Sequence, residues 1–333
     1  MIVIVSQHAI DFPSDYVYDW LRTLGADCVR INGADLLAGS GFSISYSPTD
    51  GALDWSGLDM HLDDVRAVWI RRWMDFDTVK KVDLGVEGLA DFSTMLENYR
   101  QSEFRGLSCF FFEMLRDKPS LGNSHYIKGS LNKARQLVLA RLAGLETPDT
   151  LITDSKEQVQ QMMEKYDRII CKSIWEIGFF RYDGTALGTY TFLFTRQHLE
   201  ELPAKFSPSL FQEALEKEFE VRVFYLDGKL YSMAIFSAGD KQTAVDFRHY
   251  NYGRPNRTVP FRLPANMEEK VIRFMELAGL DTGSLDLIFT PSGKFVFLEV
   301  NPGGQFGMVS FPCNYHLEKK VAEKLIQLAS NAN

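Results

Sequence analysis

Apolar and polar residues follow two periods along this chain. The run Ile2-Val3-Ile4-Val5 is short and unbroken, as in a strand buried on both faces. A helix is predicted next, capped by Ser14, running to about Leu24 and stopped by Gly25. Residues 28–31 form a second predicted strand. Residues 42–46 alternate apolar and polar, as a half-buried strand does. Residues 67–70 predict another strand, which runs into Arg71-Arg72-Trp73. A long helical stretch covers about 84–115.

A linker around Lys118-Pro119-Ser120 leads into the next segment. There Ser130 is the expected cap of a helix with Ala134, Leu137, Val138 and Leu142 on one apolar face, ending at Gly144. Pro148 introduces a strand at 150–152. Ser155 and Gln158 have the spacing of a capping box for a helix to about Tyr166. A strand at 168–173 leads to a glycine-bearing loop, with Gly178, Gly184 and Gly188, and then to a strand at 190–194.

The last third is richer in strands. Residues 219–226 and 229–236 flank Asp227-Gly228, a strong signal for a type I′ hairpin. Asn266 and Glu269 are the expected caps of a helix ending near Gly279. A second hairpin pairs 285–289 with 295–300 around Pro291-Ser292-Gly293, and a last helix covers about 315–328. No internal repeat or low-complexity segment is visible.

Composition narrows the function classes. The chain has 333 residues and a formal charge of −8. A diffuse acidic balance argues against bulk binding to nucleic acid or anionic membrane, which needs a basic surface. Cys28, Cys109, Cys171 and Cys313 are far apart and form no C-x-x-C pair, so they read as thiols in a reducing compartment. The N-terminus lacks a basic region and a long apolar run, so it reads as a strand and not a signal peptide. The densest apolar stretch, 109–112, is far too short to span a bilayer. A cytoplasmic protein is expected.

The second hairpin carries the sharpest chemistry. Magnesium takes hard oxygen ligands, typically one or two carboxylates with substrate phosphates. Glu299 and Asn301 lie two apart on one strand and so face the same way. Asp286 is on the partner strand. With a four-residue loop, 291–294, Thr290 pairs with Phe295 and Asp286 lands opposite Glu299. A three-residue loop would put Asp286 opposite Leu298. Phe295 and Phe297 are expected on the Glu299 face, so the carboxylate would emerge from an apolar stripe and need a partner.

ATP needs cations for its phosphates and a hinge for adenine. Lys133 sits in a helical first turn, where a cation opposes the dipole. Lys172 ends the apolar run Ile169-Ile170-Cys171. Each alone is more often a surface lysine that snorkels; together, ahead of the glycine loop, they fit phosphate clamping. Gln212 and the backbone near Glu213 and Leu215 are placed to read the adenine edge, with Glu216 or Glu218 for the ribose hydroxyls. The P-loop, the dinucleotide fingerprint and the kinase set are all missing, and the histidines show no zinc spacing.

The ordered set is Asn132-Lys133, Gly144 to Pro148, Lys172, Gln212-Glu213, Glu220-Val221-Arg222-Val223, Asp246-Phe247-Arg248, Asp286 and Glu299-Val300-Asn301-Pro302. It resembles the ATP-grasp superfamily over nearly the whole chain. More narrowly it resembles the graspetide synthetases, which include the microviridin ligases and a grasp-with-spasm subgroup. Leu298 through Gly307, Pro312-Cys313-Asn314-Tyr315 and Trp69-Ile70-Arg71-Arg72 carry that narrower likeness.

The resemblance implies an α/β (α+β) protein with a three-part ATP-grasp fold. Its parts would be an N-terminal α/β domain (1–119) that meets the peptide leader, a central lid domain (120–205) and a C-terminal antiparallel-sheet domain (206–333). It implies ATP and Mg2+ as cofactors. Lys133, Lys172, Gln212, Glu213, Leu215, Glu216 and Glu220 would hold the nucleotide, and Asp286, Glu299 and Asn301 the metal. Arg222 and Arg248 would face the phosphoryl group or the substrate carboxylate. Arg71, Arg72 and Arg254 would receive an acidic peptide. No residue is an obvious general base; Asp246 is a candidate by its nearness to Arg248. The implied reaction joins an Asp or Glu side chain of a ribosomal precursor peptide to a Ser, Thr or Lys side chain of the same peptide. Homodimerisation is implied as well. The competing readings are an ATP-grasp ligase that adds an amino acid to a protein tail or small peptide, and a nucleotide sensor without chemistry.

Overall fold

A computed structural model of the chain describes residues 1–7, 11–36, 42–47, 50–55, 58–73, 90–123, 131–175, 178–183, 185–237, 253 and 255–332. It divides into two compact units, Met1–His125 with His316–Asn333, and Tyr126–Tyr315.

The first unit is built on a parallel sheet. β1 (Ile2–Ser6) is buried at every position. It pairs in parallel with β2 (Cys28–Asn32) on one side and with the strand Ala67–Ile70 on the other. Helix α1 (Phe12–Thr23) connects β1 to β2. It starts two residues before Ser14, because Asp11 takes the cap position and Pro13 occupies the first turn, where a missing N–H costs nothing. Ser14 instead donates to Asp11 Oδ2 at 2.5 Å. Gly25 stops the helix as expected, with φ +77°. An antiparallel trio of β3 (Phe42–Ser47), β4 (Asp50–Trp55) and β5 (Leu58–His61) precedes β6 (Ala67–Ile70). Helix α2 (Ala90–Met114) then leads to β7 (Ser120–Leu121), which completes the order β2-β1-β6-β7. The start expected for that helix near residue 84 lies outside the described residues. The C-terminal helix, Leu317–Asn331, packs in this unit against α1 and β6, and buries Val321, Ala322 and Leu325. The chain's last element thus joins its first ones, an arrangement no local pattern signals.

The second unit contains two larger sheets. Helix α3 (Lys133–Leu142) opens it and is capped by Asn132, whose side chain accepts from the Arg135 N–H at 3.0 Å. The predicted cap, Ser130, lies outside the described residues. The predicted apolar face is also wrong: Val138 and Leu142 are exposed, while Gln136, Leu139 and Ala140 are buried. β8 (Thr150–Ser155), helix α4 (Lys156–Lys165) and β9 (Ile169–Lys172) follow. Ser155 makes no capping bond, since Gln158 accepts instead from the Thr153 hydroxyl. The expected glycine loop is largely a hairpin of β10 (Phe179–Tyr182) and β11 (Thr185–Gly188), because its aromatic and β-branched residues favour strands. β12 (Phe192–Phe194), helix α5 (Arg196–Glu201) and β13 (Lys205–Glu213) complete a sheet of order β12-β9-β13-β8. Val159, Met162, Ile169, Phe194 and Phe211 form the core on one of its faces.

The other sheet contains β14 (Phe219–Leu226), β15 (Lys229–Phe236), β16 (Arg257–Phe261), β17 (Thr282–Phe289) and β18 (Phe295–Asn301), in the order β16-β15-β14-β17-β18. Asp227 and Gly228 have φ of +43° and +86°, as a type I′ turn requires. Helix α6 (Ala265–Ala278) starts after Pro264 and not at an Asn266 cap, and it ends at Gly279 in the left-handed region, as expected. Phe274, Met275 and Ala278 of α6 and Leu139 and Ala140 of α3 pack on one sheet face. Val221, Val223, Leu285, Leu287, Phe297 and Val300 meet them there. A short helix α7 (Gly307–Cys313) closes the unit. No helix of the described residues is long and apolar enough to cross a membrane.

Candidate active site

With the core helices on one face of the five-stranded sheet, alternation sends Glu220, Arg222, Ser284 and Asp286 to the other. Arg222 pairs with Asp286 across β14 and β17, and their side chains meet at 2.6 Å, Nη1 to Oδ2. Both are buried, where an ion pair has to offset the desolvation of two charges and removing one partner strands the other.

Asp286 does stand opposite Glu299, and Asn301 lies opposite Ser284. The route differs from the expected one. Phe289 pairs with Phe295, and the Thr290 N–H donates to Lys294 O at 2.9 Å, which is the shorter-loop register. Unbroken, it would set Asp286 against Leu298. A bulge between Asp286 and Leu287 absorbs Leu298 and restores the pairing. It also corrects the expected stripe: Phe297 and Val300 belong to the core face, so Glu299 emerges on the opposite, charged face and not between the phenylalanines.

After β18 the chain turns sharply. Asn301 Oδ1 accepts from the Gly303 N–H at 3.0 Å, and Asn301 O from the Gly304 N–H at 3.1 Å. Gly304 has φ +59° and abuts Phe224. The Gly303-Gly304 pair is therefore a tight turn beside the carboxylate strand. Among the described residues no cluster of three or more His, Cys, Asp and Glu is assembled for a metal. The set here is two carboxylates and one amide oxygen. Hard oxygens of this kind suit magnesium, which keeps waters and substrate phosphates for its other positions. Arg222 Nε is buried without a hydrogen-bond partner, a donor available to an anion on the same face.

Glu220 is also buried on this face. It binds Lys217 at 2.5 Å and accepts from the Ser237 hydroxyl at 2.6 Å. Burial raises its pKa above the usual carboxylate range, against the pull of Lys217. The resemblance places Glu220 at the nucleotide, but Lys217, whose side chain is only 5% exposed, is not foreseen. Its one signal is the three-residue spacing from Glu220.

Lys133 Nζ donates to Trp175 O at 2.7 Å and lies 3.4 Å from Ser173 Oγ. The start of α3 thus sits beside the chain just after β9, the strand that Lys172 ends. Lys172 pairs with Leu210, and Gln212 with Ile170, so Lys172 and Gln212 share the face away from Phe211 and its core. Gln212 is buried, donates to Thr150 Oγ1 at 2.7 Å, and leaves Oε1 without a partner. Glu213 accepts from the Asp149 N–H at 3.2 Å, Leu215 is half-buried and Glu216 is exposed.

Arg71 and Arg72, in the first unit, both approach Asp11 Oδ1, at 3.7 and 3.8 Å. Arg71 is buried, and desolvation lowers its pKa to about 10 despite Asp11. Arg72 is the more accessible of the two, its side chain 34% exposed. Asp246, Arg248 and Arg254 lie outside the described residues.

No protein-family model and no curated protein matches the chain. Solved structures do. An ATP-grasp ligase associated with a ribosomally synthesised, modified peptide (RiPP) from Chryseobacterium gregarium, in complex with ADP and a leader and core peptide, aligns with a TM-score of 0.81 at 21% identity. That alignment covers 100% of this chain and 97% of the ligase. The macrocyclase MdnC from Microcystis aeruginosa, bound with precursor peptide MdnA, aligns at 0.78 and 22%, covering 98% and 99% of the two chains. The ATP-grasp ligase PsnB, complexed with minimal precursor, Mg and ADP, aligns at 0.74 and 20%, covering 98% and 97%. The chain has the fold of the ATP-grasp ligases. The expected fold class, a mixed α/β protein of several sheets, is borne out over the full length.

Proposed function

We propose that the chain is an ATP- and magnesium-dependent ligase that forms ω-ester or ω-amide macrocycles in a ribosomal precursor peptide. The observation that carries this reading is the shared sheet face of Asp286, Glu299, Asn301 and Arg222, in a fold whose full-length matches are described with precursor peptides, ADP and Mg.

On this reading Lys133 and Lys172 offset the charge of the ATP phosphates, and Gln212 Oε1 and the backbone after it meet the adenine. A bound magnesium ion would supply charge neutralisation at the phosphates, and Asp286, Glu299 and Asn301 would hold it. Arg222, kept straight by Asp286, turns its Nε to charge that develops on the transferred phosphoryl group. A peptide Asp or Glu carboxylate takes that group and becomes an acyl phosphate, with ADP released. A Ser, Thr or Lys side chain of the same peptide then attacks, losing its proton as phosphate departs. The protein's task is to align the reactants and offset charge. Arg248, Arg254 and Asp246 keep the roles the resemblance implies: Arg248 for the phosphoryl group or the substrate carboxylate, Arg254 for the acidic peptide, and Asp246 for the proton.

We read Arg72 as the more available receptor for an acidic peptide, and Arg71 as its buried support. The three-part division at residues 119 and 205 is our functional reading of the chain: a peptide-receiving part and two parts that close on ATP. A homodimer is also proposed. Phe92, Met95, Tyr99 and Phe110 fall on one stripe of α2, interrupted by Glu103 and Gly106, and all four are exposed. An apolar stripe of this kind suits a second copy. We place the enzyme in the cytoplasm.

The test is to incubate purified protein, ATP and magnesium with short peptides from neighbouring reading frames that are rich in Asp, Glu, Ser, Thr and Lys. One water should be lost per ring by mass spectrometry, with matching ADP formation. ADP formation indifferent to every such peptide would sink the substrate reading.

A further inference from the structure

Among the described residues β18 is the edge strand of its sheet, with no further strand pairing its outer backbone groups. At Phe297 the vacancy is met by Glu146, whose carbonyl accepts from the Phe297 N–H at 2.8 Å. At Val300 it is met by a side chain. Gln136 Oε1 accepts from the Val300 N–H at 2.9 Å, and Gln136 Nε2 donates to Val300 O at 3.2 Å and to Leu131 O at 3.3 Å. One buried carboxamide imitates the peptide group of a missing neighbouring strand. Val300 is the residue between Glu299 and Asn301.

The same helix reaches the other half of the proposed site. Gln136 lies three residues after Lys133, within one turn of α3. The Lys133 N–H donates to Ile174 O at 3.2 Å, and its Nζ to Trp175 O, just beyond Lys172. One helical turn therefore ties the strand of the metal ligands to the strand of the phosphate lysine.

We propose that Gln136 is a positioning residue that sets Glu299 and Asn301 for magnesium by clamping the backbone between them. The proposal rests on the magnesium reading of the hairpin. Gln136 touches neither metal nor nucleotide; it acts through Val300, as outer partners orient metal ligands generally. Without it, a buried N–H and a buried C=O lose their partners together, and the strand shifts or takes in water.

The test uses Gln136→Met, of similar size but unable to bond, and Gln136→Glu, which keeps an acceptor for the Val300 N–H and loses the donor. Magnesium binding is titrated calorimetrically with AMPPNP present, and amide exchange is followed along β18 and β14. Gln136→Met should weaken magnesium about tenfold to a hundredfold, and Gln136→Glu about threefold to tenfold. Exchange at Val300 should quicken in Gln136→Met while β14 stays protected. General loosening would quicken both strands alike and would overturn the proposal. So would wild-type magnesium affinity in either folded variant. If Gln136→Met does not fold, Gln136→Glu decides by the same criteria. Wild-type protein that binds magnesium and AMPPNP but modifies no peptide overturns the substrate reading alone. Wild-type protein that binds no magnesium with AMPPNP overturns both.

Discussion

Asp286 faces Glu299 across β17 and β18 because one extra residue, Leu298, is absorbed between Phe297 and Glu299. The bulge does two things together. It keeps Phe297 in the core beside Phe274, at 4.8 Å between ring centroids, and it turns Glu299 to the opposite face. A regular strand in the same register would have to give up one of the two.

The two carboxylates should then respond differently to removal. Glu299 is half-buried, so Glu299→Ala should change stability by no more than about 1 kcal/mol. Asp286→Ala strands the buried Arg222 and should cost about 3–5 kcal/mol. Both should lower magnesium-dependent ATP turnover about a hundredfold or more. Urea unfolding and ADP release measure the two effects. Equal stability losses would mean that Arg222 does not depend on Asp286.

Lys133 bonds to the residues just after β9, the strand that Lys172 ends, and neither lysine belongs to a hydrophobic core cluster. Lys133→Met and Lys172→Met should each weaken ATP binding by about 1.5–3 kcal/mol, the value of a charged hydrogen bond. That is roughly tenfold to a hundredfold in affinity. Titration with AMPPNP measures it, and unchanged affinity in both variants removes them from the phosphate site.

Glu220 predicts a pH dependence. Its folded pKa is raised by burial, so the native protein holds that proton more tightly than the unfolded chain. Its favourable contribution is complete below the unfolded value of about 4.5 and is lost as pH rises through the folded value. Stability of the wild type relative to Glu220→Gln should therefore fall from about pH 4.5 upward. Chemical denaturation of both proteins across that range measures the difference. A difference that grows in the wild type's favour would mean that Lys217 outweighs burial.

The α2 stripe predicts an assembly. Met95→Glu or Tyr99→Glu places a charge on its exposed apolar surface, where it should raise the dimer dissociation constant by tenfold or more, about 1.4 kcal/mol. Sedimentation at several concentrations would show it. A monomeric wild type would remove the stripe from consideration.

Local features were largely legible in the sequence. Asp227-Gly228 and Gly279 demand positive φ, which few residues adopt, so their turns could be named without a fold. Ser14, Ser155 and Asn266 were poorer guides. A capping residue competes with its neighbours, and Asp11, Gln158 and Pro264 changed the outcome in each case. The face of α3 was misread for another reason. Its apolar residues outnumber those it buries, and Gln136 is buried because β18 needs its carboxamide.

The sequence by itself determined the identity and order of the chemical groups, from Lys133 and Lys172 to Asp286, Glu299 and Asn301, together with turns set by single residues. Tertiary structure alone decided the bulge at Leu298, the Lys217–Glu220 pair beside Asp286, the Gln136 clamp and the packing of the last helix on α1. Each of these is a contact between groups whose partners are chosen by burial and by unmet hydrogen bonds. Periodicity along the chain reports which face a residue prefers, but not which distant backbone or charge will be waiting there.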